Sequence, residues 1–190
     1  MYCTRGDCLE EFHNEFTYRN LVEAGKEEEF DSLFDQAVEN AKRETLGKRF
    51  PIYIDGKEVY SSSELLEYSP IDRNILIGRF QKGTKEQAGQ AIDAAYNAFD
   101  SWGQLDYQDR VKTIRNAARL FSKAKFELGA ILSIENGKTR YESIGEVDEA
   151  IDFLNYYALD MEKNRGYIRK SKLSGSEAKV SAGFQGAPAQ

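Results

Sequence analysis

From Thr84 to Met161 the chain repeats apolar residues every three or four positions in three successive stretches, a spacing that helices satisfy and strands do not. In the first, Ala88, Ala91, Ile92, Ala95, Phe99 and Trp102 share one face. Thr84 precedes them, and Gln87 three residues on completes a capping-box pattern. Asp106 is the next candidate cap. Val111, Ile114, Ala118 and Phe121 follow it, and Leu128, Ile131 and Leu132 extend the stripe towards Gly137. The third stretch is the cleanest, with Ile144, Val147, Ile151, Leu154, Ala158 and Met161, and it ends at Asn164-Arg165-Gly166. An earlier amphipathic helix is expected from Phe30 to Leu46, on Phe30, Leu33, Phe34, Ala37, Val38 and Ala41. Three glutamates, Glu27 to Glu29, suit the positive end of its dipole, and Gly47 stops it.

Extended structure is confined to a shorter region. Ile52-Tyr53-Ile54 and Lys57-Glu58-Val59-Tyr60 flank Asp55-Gly56, a hairpin signal because both central residues tolerate positive φ. A second run, Ile75 to Phe80, follows the break at Ser69-Pro70. From Tyr167 the character changes to Arg, Lys, Ser, Gly and Ala. Residues 167–190 therefore read as a truncated linker or oligomerisation-strand region with little core-forming capacity, cut off before the element it should connect.

Composition enters mainly through what it excludes. A chain of 190 residues supports one domain, or one domain with an extension. The net charge of -6 argues against a general nucleic-acid binder, which concentrates positive charge. No apolar run approaches the roughly 20 residues of a membrane-spanning helix. Met1 to Arg5 is not followed by the apolar core of a secretion signal, so a cytoplasmic location is expected. Two cysteines build no disulfide framework. One histidine, His13, leaves a single candidate base for any triad or dyad.

Each local motif has a plain structural reading. Cys3-Thr4-Arg5-Gly6-Asp7-Cys8 could be an adhesion loop or, with His13, part of a metal site. It reads better as a frayed terminus over residues 1–11, since zinc would still lack a fourth ligand. Glu135-Asn136-Gly137-Lys138 lacks phosphate-loop spacing and reads as a helix end. Glu142, Glu146 and Glu149 share a helix face and read as a solvated acidic ridge.

Taken in order, seven stretches resemble the amino-terminal part of the aldehyde dehydrogenase superfamily, most closely its 1-pyrroline-5-carboxylate dehydrogenase branch. They are Phe12 to Glu15, Pro51 to Val59, Tyr68-Ser69-Pro70, Ala94 to Trp102, Asp109-Arg110-Val111, Glu135 to Lys138, and Glu146 to Ala158. The resemblance runs over residues 12–166. It implies an α/β superfamily fold of which this portion is mostly α, with a β-hairpin and short strands. It also implies that Glu142 lies near the aldehyde site, with Phe153 and Tyr157 as tunnel-wall residues at the substrate entrance.

The departures bear on activity. In the family a cysteine thiolate attacks the aldehyde, hydride passes to NAD or NADP, and a glutamate activates water to release the acid. None of the family's catalytic or cofactor-binding residues is matched here, no metal site is expected, and Cys3 and Cys8 do not match the nucleophile. The resemblance thus implies a truncated or related enzyme portion, inactive and cofactor-free alone, whose partners are further copies of itself or a missing catalytic portion. The alternative is a non-catalytic assembly or regulatory module.

Overall fold

The computed structural model describes residues 12–173 and 176–181. Along the chain the elements are α1 (Thr17–Glu23), α2 (Glu27–Glu44), β1 (Lys48–Phe50), β2 (Ile52–Ile54), β3 (Lys57–Val59), β4 (Glu64–Tyr68) and β5 (Leu76–Gln81). Then come α3 (Lys85–Gln104), α4 (Tyr107–Lys123), α5 (Lys125–Asn136), α6 (Arg140–Lys163), β6 (Ile168–Leu173) and β7 (Ser176–Ser181). The fold is therefore mostly helical with small sheets. Residues 1–11, with Cys3, Cys8 and Arg5-Gly6-Asp7, lie outside the described residues.

The core forms around α6, the longest helix. One face of it buries Ser143, Ile144, Val147, Asp148, Ile151, Ala158 and Leu159, positions three and four apart, as one helical stripe must. Ile144 meets Phe30 and Phe34 of α2, with Tyr18, Leu21 and Phe126 packed around them. Ala118 of α4 meets Val147 and Ile151. Ala41, Ile77 and Ile134 join α2 and α5 to the sheet. Fully burying Phe30, Ile144 or Ile151 stabilises the fold by about 1.5–3 kcal/mol each. α5 and α6 approach closely because Gly129 has no side chain: a Cβ there would lie 2.8 Å from Cδ1 of Ile144.

Two helix boundaries differ from the apolar spacing. The stripe from Val111 to Leu132 is divided at Ala124, which ends α4 and precedes α5. The apolar repeat runs across that break because both helices face the same core. α2 ends at Glu44, two residues before Leu46, and Gly47 then adopts φ 74°.

The sheet has strand order β1-β5-β4. β1 runs parallel to β5, and β4 runs antiparallel to it with an irregularity between Glu67 and Tyr68. Phe50 and Phe80 stack across the parallel pair, centroids 5.2 Å apart. The β2–β3 hairpin closes through Asp55 (φ 52°) and Gly56 (φ 70°), the primed turn that matches strand twist. β6 and β7 pair antiparallel along their full length, from Ile168 with Ser181 to Leu173 with Ser176. The sequence left a linker or an oligomerisation strand open there.

α6 reaches β6 through an uncommon turn. Arg165, Gly166 and Tyr167 all have positive φ, at 52°, 72° and 56°. Gly166 is buried against Tyr107 at the start of α4. The Tyr167 hydroxyl donates to Asp160, and the Asn164 amide donates to the Asp160 carbonyl at 2.9 Å, tying the turn to the last helical turn.

The core also contains a misfit. The Ser143 hydroxyl is buried and has no hydrogen-bond partner among the described residues. An unpaired buried hydroxyl costs free energy that a methyl group does not. Ser143→Ala should leave stability unchanged or raise it by about 1 kcal/mol in urea unfolding. A clear loss would show that the hydroxyl has a partner.

Candidate functional site

The outer face of α6 holds every residue that the resemblance points to. Its N-terminus is closed by Thr139, whose Oγ1 accepts the Glu142 N–H at 3.3 Å while Glu142 Oε2 accepts the Thr139 N–H at 3.0 Å. The Thr139 backbone and side chain hold the Glu142 carboxyl below the usual glutamate range. Glu142 is thus the third residue of a capping box, and it is exposed.

Because the folded-state pKa of Glu142 is lowered, its contribution is present above the unfolded value near ~4.3. It is lost as pH falls through the folded value. Glu142→Ala should therefore melt at a lower temperature than wild type at neutral pH, and the gap should close in acid. A gap that persists unchanged below pH ~3 would remove the capping role from the carboxylate.

Phe153 and Tyr157 stand eleven and fifteen residues further on, about 16 and 22 Å along the axis. They are 52% and 57% exposed and stack on one another, centroids 6.2 Å apart. The structure therefore brings Phe153 and Tyr157 together and sets Glu142 apart from them on the same ridge. Tyr156 packs edge-on against Tyr157 at 5.6 Å, and Phe12 packs edge-on against Tyr156 at 5.5 Å. Of the other acidic ridge residues, Glu146 is ion-paired with Lys138 and Glu149 is exposed. His13 is exposed, beside Phe12.

Behind this ridge lies a polar cluster that no sequence spacing marks. The Asp148 carboxylate accepts the Thr17 N–H and Thr17 Oγ1–H, both at 2.8 Å. One turn on, Asp152 accepts the Glu15 N–H and the Asn14 amide, also at 2.8 Å. Lys125 Nζ lies 2.9 Å from Asp148 and donates to Glu15 at 2.7 Å. The Lys125 and Asp148 side chains are only 9% and 7% exposed. Burial alone would lower the Lys125 pKa, but its hydrogen bonds to Glu15 and Asp148 prevail and hold it above the ordinary value. Two carboxylates four residues apart usually repel. Here each is occupied by donors from residues 14–17, a pairing of sequence-distant groups that only the fold creates.

Among the described residues no group of three or more His, Cys, Asp or Glu could hold a metal ion. A dinucleotide pyrophosphate binds a glycine-lined helix N-terminus. The sequence has no Gly-x-Gly-x-x-Gly. The N-termini of α3 and α6 are closed by their own capping boxes, that of α4 by Asp106 and that of α1 by Asp148. α2 starts with three glutamates. None of these five N-termini offers glycine-lined backbone N–H groups to a pyrophosphate. An open groove of about 620 Å³ between the hairpin and α3 is lined by Asp55, Lys57, Asp93 and Asn97, with no cysteine or histidine among its lining residues.

Comparison with known proteins places this arrangement. The aldehyde dehydrogenase family model matches residues 59–183. The chain belongs to the aldehyde dehydrogenase family. Among curated relatives it is similar to the 1-pyrroline-5-carboxylate dehydrogenase of Bacillus licheniformis, 33% identical over 70% of this chain and 26% of the relative. It is likewise similar to 1-pyrroline-5-carboxylate dehydrogenase 2 of Bacillus subtilis, 36% identical over 72% of this chain and 28% of the relative. Among solved structures, the Thermus 1-pyrroline-5-carboxylate dehydrogenase with bound NAD superposes with a TM-score of 0.77 at 30% identity. That match covers 89% of this chain and 32% of the other. Betaine aldehyde dehydrogenase of Staphylococcus aureus in complex with NAD+ gives 0.63 at 30% identity, over 78% of this chain and 29% of the other. The chain spans about a quarter of the length of the curated relatives it matches.

Proposed function

We propose that these residues form the amino-terminal helical layer of an NAD(P)-dependent aldehyde dehydrogenase that oxidises glutamate semialdehyde to glutamate in proline catabolism. In this reading α6 supplies the entrance wall, with Phe153 and Tyr157 facing the aldehyde path and Glu142 at its far end. The cofactor site, the nucleophile and the water-activating carboxylate belong to a separate catalytic portion, and these residues alone do not turn over. A cytoplasmic location belongs to the same reading. The observation that carries it is the likeness to the Thermus enzyme, which extends over 89% of this chain yet accounts for only 32% of that one.

The test is to assay the purified chain with pyrroline-5-carboxylate and NAD, following nicotinamide reduction. No reduction is expected from the chain alone. Adding a separately expressed remainder of the Bacillus subtilis relative should restore a measurable rate. A rate from the chain alone that Cys3→Ser or Cys8→Ser abolishes would overturn the proposal.

A second reading, a non-catalytic module that associates with itself or with a catalytic chain, is favoured by one feature. α3 buries none of its twenty residues, and Ile92 and Tyr96 on its apolar face are 69% and 70% exposed. Exposed apolar faces of that kind mark association surfaces. Sedimentation across the micromolar range should show a concentration-dependent species, and a strict monomer would count against self-association.

A further inference from the structure

We propose that residues 12–17 are a strap that fixes the orientation of the Tyr156 and Tyr157 rings on α6, and that Asp152 is the positioning residue that holds the strap. This deepens the proposed function, since it rests on reading that face of α6 as the entrance wall.

Three observations join in one line. Asp152 holds the strap by two hydrogen bonds of 2.8 Å, to the Glu15 N–H and the Asn14 amide. Two residues before the anchored Asn14, the chain delivers the Phe12 ring edge-on to Tyr156 at 5.5 Å and an interplanar angle of 82°. Tyr156 in turn meets Tyr157 edge-on at 5.6 Å and 78°, and Tyr157 stacks on Phe153. The three α6 rings are half-exposed, and the helical backbone leaves each of them more than one χ1 rotamer. An edge-to-face contact with an anchored ring supplies that restriction from outside the helix. The carboxylate fits this task because it accepts two donors from adjacent residues at once, so the strap cannot pivot about a single bond.

The placement also separates anchoring from folding. Thr17 is held by Asp148, one turn back along α6, and Glu15 is held additionally by Lys125. Loss of Asp152 should therefore loosen residues 12–15 while the start of α1 stays docked. Precise ring placement is what an entrance needs if it is to discriminate between aldehydes by contact.

The test uses the 190-residue chain with carbon-13-labelled tyrosine, the Tyr156 and Tyr157 signals being assigned by Tyr156→Phe and Tyr157→Phe. In Asp152→Ala the Glu15 amide should exchange at least about tenfold faster while the Thr17 amide keeps its protection. The Tyr156 and Tyr157 signals should move towards averaged positions, with Tyr18 and Tyr141 unmoved. Phe12→Ala, which removes the ring and leaves every strap hydrogen bond in place, should move the same two tyrosine signals without changing the Glu15 amide. Tyrosine signals that stay put in Phe12→Ala overturn the proposal. So does a Glu15 amide in Asp152→Ala that exchanges as in wild type. Titrating glutamate into the wild-type chain tests the underlying reading independently. If the Tyr156 and Tyr157 signals ignore it, α6 is not a substrate-facing wall, while the strap is still judged on the variants.

Discussion

Replacing Gly166 with alanine should destabilise this chain by about 2–5 kcal/mol, the largest effect expected from any single methyl group here. Two costs add. The residue sits at φ 72°, where an L side chain meets its own backbone at a cost of about 1–2 kcal/mol. The new Cβ would also lie 2.7 Å from Cγ and 2.8 Å from Cβ of Tyr107, both close to the backbone and unable to swing away. Overpacking of that kind costs about 1–3 kcal/mol. Gly89→Ala is the control, because a Cβ there meets nothing within 4 Å and the site is an interior position of α3. That substitution should stabilise by up to about 1 kcal/mol through helix propensity. Urea unfolding of both variants checks the pair. If Gly166→Ala unfolds at the wild-type midpoint, Tyr107 is not packed where the structure puts it.

Removing the Asp148 carboxylate should be about as damaging, costing about 3–5 kcal/mol. Asp148→Ala leaves the Lys125 ammonium with Glu15 as its remaining carboxylate in a nearly closed site, and strips the acceptor from the Thr17 N–H and hydroxyl. Much of that loss is the penalty of a poorly compensated charge rather than the worth of the pair. Lys125→Met in the Asp148→Ala background should therefore recover part of the stability, and a double-mutant cycle reads the coupling. Strict additivity would mean that the two groups do not interact. The Lys125 contribution has its own pH window. Its pKa is raised on folding, so the contribution is complete below the unfolded value near ~10.4 and is lost only as pH climbs through the folded value.

What could be read in advance follows the range of the forces involved. The hairpin was legible because Asp55 and Gly56 are neighbours and both adopt the positive φ that their dipeptide favours. The Thr84 box was legible for the same reason, spanning three residues. α1 was not, since it carries no stripe and its first N–H is satisfied by a carboxylate 131 residues away. The parallel pairing of Lys48–Phe50 with β5 was equally hidden, because a three-residue strand ahead of a proline has no partner within its own window. At the candidate site, Phe153 and Tyr157 could be placed together on α6 by helical arithmetic. The capping role of Glu142 is just as local, with Thr139 two residues after Gly137 and three before Glu142. The contributions of Lys125, Asp148 and Asp152 depend on helices meeting and were out of reach of any pattern.

The dependence of α1 on Asp148 has a consequence for how the chain is born. A ribosome adds about 5–20 residues each second. The 131 residues between Thr17 and Asp148 therefore take roughly 7–26 s to appear. A seven-residue helix cannot stand alone in water. Throughout that interval α1 lacks the carboxylate that closes its N-terminus, and its docking is completed only when α6 has emerged.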